Sequence, residues 1–179
     1  MDNTIVTEED SSFQIDLYPP ENFSLVCPGV YRSSFPKKRH FPFIKKLKLK
    51  SIVTLILEDY PEINLQFLNE NNIKLYQFGV PGNKEPFVDI PENIIAKALT
   101  VLVDSRNLPT LIHCNKGKHR TGCLVGCLRR LQGWTFTSIF DEYRRFSNPK
   151  ARAMDQQFIE LFNTDLVIYH EGYTPDWLI

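Results

Sequence analysis

The sequence predicts an α/β fold: a mainly parallel central sheet of four to five strands, flanked by helices on both faces. Three observations carry that expectation. Residues 51–57 form a continuous, β-branched apolar run, the pattern of a strand buried on both faces. Apolar residues recur at helical spacing in several segments, most clearly Ile94, Ile95, Ala98, Leu99 and Leu102. Strand-like and helix-like segments alternate along the chain, which calls for parallel strands joined by crossover helices.

Taken in order, residues 1–17 are polar and acidic at first and are expected to form a flexible N-terminal segment. Residues 23–26 and 29–32 read as two short strands around a Cys27–Pro28 turn. Residues 37–47 place Phe41, Phe43, Ile44 and Leu47 near helical spacing, with Pro42 disturbing the first turn. After the 51–57 strand, Pro61 starts a helix carrying Ile63, Phe67 and Leu68. Residues 73–78 alternate like a strand, and Pro91 opens the helix over Ile94–Leu102 named above. A strand at 110–113 leads into a loop and a helix over 119–132. Gly133–Trp134 breaks that helix, Thr135 caps the next one through Phe146, and a last helix runs over roughly 151–162. Trp177, in the tail, is expected to pack back onto the core.

Composition bounds the function. A chain of 179 residues, 42% apolar with thirteen Phe, has the material for one domain with a substantial core. Formal net charge is zero, so bulk charge predicts no nucleic-acid partner, and no apolar run is long enough for membrane insertion. The basic stretch at 37–50 reads as a solvated helix face. Four cysteines lack both a disulfide framework and zinc spacing, so neither a metal nor a cofactor is expected. Cys123 and Cys127, at i and i+4, read as small core residues. A reducing compartment fits, the cytoplasm or also the nucleus.

The chemistry concentrates in LIHCNKGKHRTG, residues 111–122. An apolar strand ends at Cys114, a basic loop follows, and a helix begins. Free N–H groups at a helix start, with the helix dipole, make an anion site, and the same field holds a cysteine as thiolate. Cys114 also stands at the carboxyl end of a strand, where ligands of such sheets bind. Five residues separate Cys114 from Arg120, enough to wrap the amides of Asn115, Lys116, Gly117, Lys118 and His119 around a phosphate. Gly117 allows the positive φ that wrapping needs. Arg120 binds two phosphate oxygens at once. Thr121 is placed to hydrogen-bond the Cys114 sulfur, His113 to shape the loop by buried hydrogen bonding, and Gly122 to let the helix start pack close to the strand. Lys84 approaches from another loop on this reading, and Lys150 and Arg152 from a third, giving a dense positive site suited to a polyanionic small molecule. Asp89 is the first candidate for a general acid and Glu85 the second; Asp89 is equally suited to capping the helix at Pro91.

These residues resemble the cysteine-based protein phosphatases. Residues 28–33, 81–87, 113–122 and 140–146 narrow the resemblance to the plant and fungal atypical dual-specificity phosphatases, over about residues 20 to 165. The resemblance implies a single phosphatase domain over 18–179 with a tyrosine-phosphatase-like fold. It implies Cys114 as phosphocysteine nucleophile, Arg120 as phosphate clamp, and inositol pyrophosphates as substrates, cleaved at the β-phosphate, chiefly at the 5-position. Two other readings stay open: a phosphotyrosine, dual-specificity or phosphoinositide phosphatase using the same residues, and a phosphate-binding interaction module without catalysis.

Overall fold

The computed structural model describes residues 16–82 and 89–178. Lys84 and Glu85, and all of the 1–17 segment except its last two residues, lie outside the described residues. Five strands form one sheet: β1 (Ser24–Cys27), β2 (Val30–Ser33), β3 (Ser51–Thr54), β4 (Lys74–Gln77) and β5 (Thr110–His113), in the order β1-β2-β5-β3-β4. Only β1 and β2 pair antiparallel; the β2–β5, β5–β3 and β3–β4 ladders are parallel. The α-helices among the described residues are α1 (Phe41–Lys46), α2 (Glu62–Glu70), α3 (Glu92–Leu102), α4 (His119–Leu131), α5 (Phe136–Ser147) and α6 (Ala153–Leu161).

The period of two along each strand builds the two layers. Ile52 and Leu111 face a cluster with Ile44 of α1 and Leu68 of α2. Their neighbours Val53 and Ile112 face the larger cluster with Ile95 and Leu99 of α3, Leu124 and Leu128 of α4, Ile139 of α5 and Ile159 of α6. Each such fully buried side chain contributes roughly 1.5–3 kcal/mol, against a net stability of about 5–15 kcal/mol, so the two-sided burial dominates the placement of β3 and β5. Trp177 packs against the larger cluster.

Several elements differ in detail from the expectation. The strand expected over 51–57 ends at Thr54. Leu55 and Ile56 are buried, but the Leu55 carbonyl accepts from Val80 N–H at 3.0 Å and from Arg120, so the chain leaves the ladder to build the site rim. Pro42 does not disturb α1; it occupies the first turn, where its missing N–H has no partner to lose. In α2 the buried positions are Asn64 and Leu68, while Ile63 is 44% exposed. Asn64 tolerates burial because its Nδ2 donates to the Pro36 carbonyl at 2.8 Å. The close approach at Gly122 is to α5, not to a strand: a Cβ there would stand 2.9 Å from the Tyr143 ring. Gly126 lets Ile159 of α6 in the same way, with 2.5 Å to an added Cβ. Small residues one turn apart thus bring α4 tight against both neighbours. Cys123 and Cys127 are buried in that packing, and burial pushes both thiols well up from their ordinary range.

Candidate active site

β5 lies at the centre of the sheet, and Cys114 follows its last residue, so the thiol stands at the carboxyl edge, 3% exposed. The loop from Cys114 to Lys118 then enters α4. Its shape is set by where its carbonyls go. The Cys114 carbonyl lies 3.0 Å from His113 Nδ1, and His113 Nε2 lies 3.0 Å from the Tyr60 hydroxyl. A carbonyl only accepts, so Nδ1 carries the proton and Nε2 accepts from Tyr60. Burial pushes the His113 pKa down to about 4, which keeps the ring neutral and suits it to shaping the loop.

Three further carbonyls of the loop are held by hydrogen bonds. Asn115 O accepts from Phe35 N at 3.0 Å, and Lys118 O from Gly122 N at 2.9 Å. Gly117 O takes two donors from distant parts of the chain: Asn22 Nδ2 at 3.1 Å and Arg32 Nη2 at 3.1 Å. With its carbonyls tied, the loop keeps its amides: none of the backbone N–H groups of residues 115–121 donates to a described residue. Seven donors in succession without a partner among the described residues, leading into a helix N-terminus, are what an oxyanion needs around it.

Gly117 is required twice over. Its φ is +68°, and a Cβ would stand 2.5 Å from the Ser33 carbonyl group. The left-handed conformation and the overlap with backbone add to about 3 kcal/mol. Gly117→Ala is therefore expected to lower Tm clearly and to weaken oxyanion binding. A variant that binds inorganic phosphate normally and melts with the wild type would show that the loop is not seated against β2.

Arg120, in the first turn of α4, donates from Nη1 to Val80 O at 3.1 Å and to Leu55 O at 3.4 Å. Its head is thus anchored by the rims that follow β3 and β4. Arg120 also lines a cleft with Val80, Ile90, Cys123 and Asp155. Asp155 is 1% exposed and accepts from the Tyr143 hydroxyl; burial raises its pKa. The Arg152 amide donates to the same hydroxyl at 3.3 Å.

Lys118 and His119 do not both face the loop centre. Lys118 Nζ donates to Asn148 O and His119 Nε2 to Lys150 O, each at 2.7 Å. They pin the segment carrying Lys150 and Arg152 beside the loop. Lys116 and Asn115 are exposed, as is Lys150. Thr121 departs from expectation: its hydroxyl is buried with no hydrogen-bond partner among the described residues, so the bond to the Cys114 sulfur is not formed. Asp89 is exposed and lines a groove with Ile90, Glu92, Met154, Gln157 and Phe158, and Ile90 also lines the Arg120 cleft. Pro91 occupies the N-cap position of α3 without a side-chain capping bond. Asn22, Arg32, Phe35, Tyr60 and Asp155 were not singled out from the sequence. Only Arg32 lay in a motif that carried the resemblance, and the other four have no local spacing signal.

Residues 17–179 match the tyrosine phosphatase family model. The chain is 60% identical over 151 residues to the inositol diphosphatase SIW14 of Saccharomyces cerevisiae, covering 84% of this chain and 54% of that protein. It thus spans about half the length of that relative. It is 56% identical over 153 residues to the inositol diphosphatase DSP2 of Oryza sativa subsp. japonica, covering 86% of this chain and 75% of that protein. The crystal structure of the core catalytic domain of the PP-IP phosphatase SIW14 superposes with a TM-score of 0.81 at 58% identity, over 84% of this chain and 90% of that one. A match spanning nearly the whole chain places this chain in the tyrosine phosphatase family.

Proposed function

We propose that this protein is a metal-independent cysteine phosphatase that removes the β-phosphate of inositol pyrophosphates, with 5-diphosphoinositol phosphates as preferred substrates. The observation that carries the reading is the 54–60% identity to relatives from yeast, rice and Arabidopsis thaliana that are named inositol diphosphatases. The site chemistry supports it. The Cys114 sulfur attacks the β-phosphorus in line, and the bond from that phosphorus to the bridging oxygen breaks. The inositol phosphate leaves, and water then attacks the phosphocysteine, releasing inorganic phosphate and restoring the thiolate. Arg120 and the amides of 115–121 hold the transferring group. Lys116, Lys150 and Arg152 supply charge for the other phosphates.

The leaving group also fits. A phosphate has a second pKa of about 6 and departs without a proton, whereas a tyrosine phenolate, with a pKa of about 10, needs an acid. On this reading the reaction does not depend on Asp89 as an acid. Four free, buried cysteines suit a reducing setting, cytoplasmic or nuclear, which is part of the proposal.

The test is phosphate release without metal, from a 5-diphosphoinositol phosphate and from a phosphotyrosine peptide side by side. Strong preference for the inositol substrate is the expected result. Preference for the peptide sinks the substrate assignment and makes Asp89 the next residue to replace. Binding of both without turnover leaves an interaction module.

A further inference from the structure

Residues 148–152, between α5 and α6, carry Lys150 and Arg152 beside the phosphate loop, and they bury little of their own: 148–151 are exposed and Arg152 is half-buried. Their position rests mainly on hydrogen bonds. Two tethers come from the phosphate-loop side, Lys118 Nζ to Asn148 O and His119 Nε2 to Lys150 O. Both are exposed, where water competes for the same donors and the net worth of a bond is small. The third tether is sheltered. The Arg152 N–H donates to the hydroxyl of Tyr143, a residue 2% exposed, and that hydroxyl donates in turn to Asp155, 1% exposed.

These three residues make an extended helix cap. Arg152 is the N-cap residue of α6, and Asp155 stands in its first turn, three positions on. In a capping box a glutamate or glutamine at that position reaches back to the N-cap amide itself. Aspartate is one methylene shorter, and here the phenol of α5 bridges the gap, amide to hydroxyl to carboxyl. Burial pushes the Tyr143 phenol up, so it keeps the proton that it donates. The same ring lies against Gly122, two residues past Arg120, where an added Cβ would stand 2.9 Å from it. One side chain thus joins the start of α6 to the start of α4. Arg152 lines the Arg120 cleft with His119 and Asp155. Asp155 attracts both His119 and Arg152 but forms no ion pair among the described residues, so the Arg152 guanidinium stays available to an anion in the cleft.

We propose that Tyr143 and Asp155 are specificity-determining positioning residues: by capping α6 they hold Arg152 at the cleft and so set the affinity for the further phosphates of a many-phosphate substrate, a class that rests on the inositol pyrophosphate reading. Without the hydroxyl the Arg152 amide turns to water, and the segment samples more positions, an entropy that binding must then remove. The transferring phosphoryl group is left to Arg120 and the amides of 115–121, so the chemical step does not draw on the cap.

The test centres on Tyr143→Phe, which removes one oxygen and keeps the ring against Gly122. Binding of myo-inositol hexakisphosphate and of inorganic phosphate is measured by calorimetry at constant ionic strength. The variant should bind the hexakisphosphate about tenfold more weakly, as for loss of a charged hydrogen bond, and inorganic phosphate within about twofold of wild type. Turnover of a 5-diphosphoinositol phosphate should show KM raised about tenfold with kcat within about threefold. Because Tyr143 acts through Arg152, adding Tyr143→Phe to Arg152→Ala should change hexakisphosphate binding by less than about twofold. Asp155→Ala should match Tyr143→Phe, whereas Asp155→Asn, which keeps an acceptor for the phenol, should stay within about threefold of wild type. Four results each overturn the proposal: unchanged hexakisphosphate binding in Tyr143→Phe, equal weakening of both anions, a fully additive loss in the double variant, or a loss in Asp155→Asn as large as in Asp155→Ala. The binding measurements report on the cap whether or not a diphosphoinositol phosphate is turned over, so this proposal and the substrate assignment fail separately.

Discussion

Cys114→Ser is expected to lower turnover of a 5-diphosphoinositol phosphate by roughly 10^4-fold or more while leaving the protein folded and able to bind the substrate. The sulfur stands at the sheet's carboxyl edge, where the proposed route forms the covalent intermediate, and serine at the same place keeps its proton near neutral pH. Binding should survive because the oxyanion is held by parts the substitution does not touch: seven amides over 115–121 and the Arg120 guanidinium. The measurement pairs single-turnover phosphate release with equilibrium binding of the uncleaved substrate. Retained turnover in the serine variant within about tenfold would remove the phosphocysteine from the mechanism.

Arg120→Lys should cost kcat/KM about 10^2-fold and Arg120→Ala about 10^3-fold, the range seen when a preorganised donor to a developing oxyanion is removed. Charge alone cannot replace the guanidinium. Its Nη1 is spent on the Leu55 and Val80 carbonyls, which aim the rest of the planar fork, and a lysine has no second arm to be aimed. The ratio between the two variants is the informative quantity. If lysine restored wild-type rates, the residue would act as a point charge, and the two carbonyl contacts would be incidental to catalysis.

The two effects rest on residues that the linear sequence displays with unusual directness. A strand, a cysteine, a glycine-bearing basic loop and a helix start follow one another over 111–122, so every part of the anion site is contiguous, and contiguous geometry is what local rules describe. The alternation of strands and helices is legible for the same reason: burial on one face repeats every two or 3.6 residues. Where the rules slipped, the cause was a distant neighbour. Leu55 reads as strand, yet its carbonyl belongs to Val80 and Arg120. Gly122 reads as a helix–strand contact, yet the group it admits is the Tyr143 ring. Thr121 reads as a partner for the sulfur, yet its buried hydroxyl has no hydrogen-bond partner among the described residues.

The sequence by itself therefore determined the α/β architecture and the succession of strand, cysteine, glycine-bearing loop and helix start, because each is a short run whose chemistry and period are self-contained. Only the tertiary structure decided how that loop is held. Asn22 and Arg32 reach the Gly117 carbonyl across 95 and 85 residues of chain, and Tyr60 reaches His113 across 53. Such pairs leave no period or spacing behind, since a hydrogen bond needs two atoms at the right distance and is indifferent to the length of chain between them.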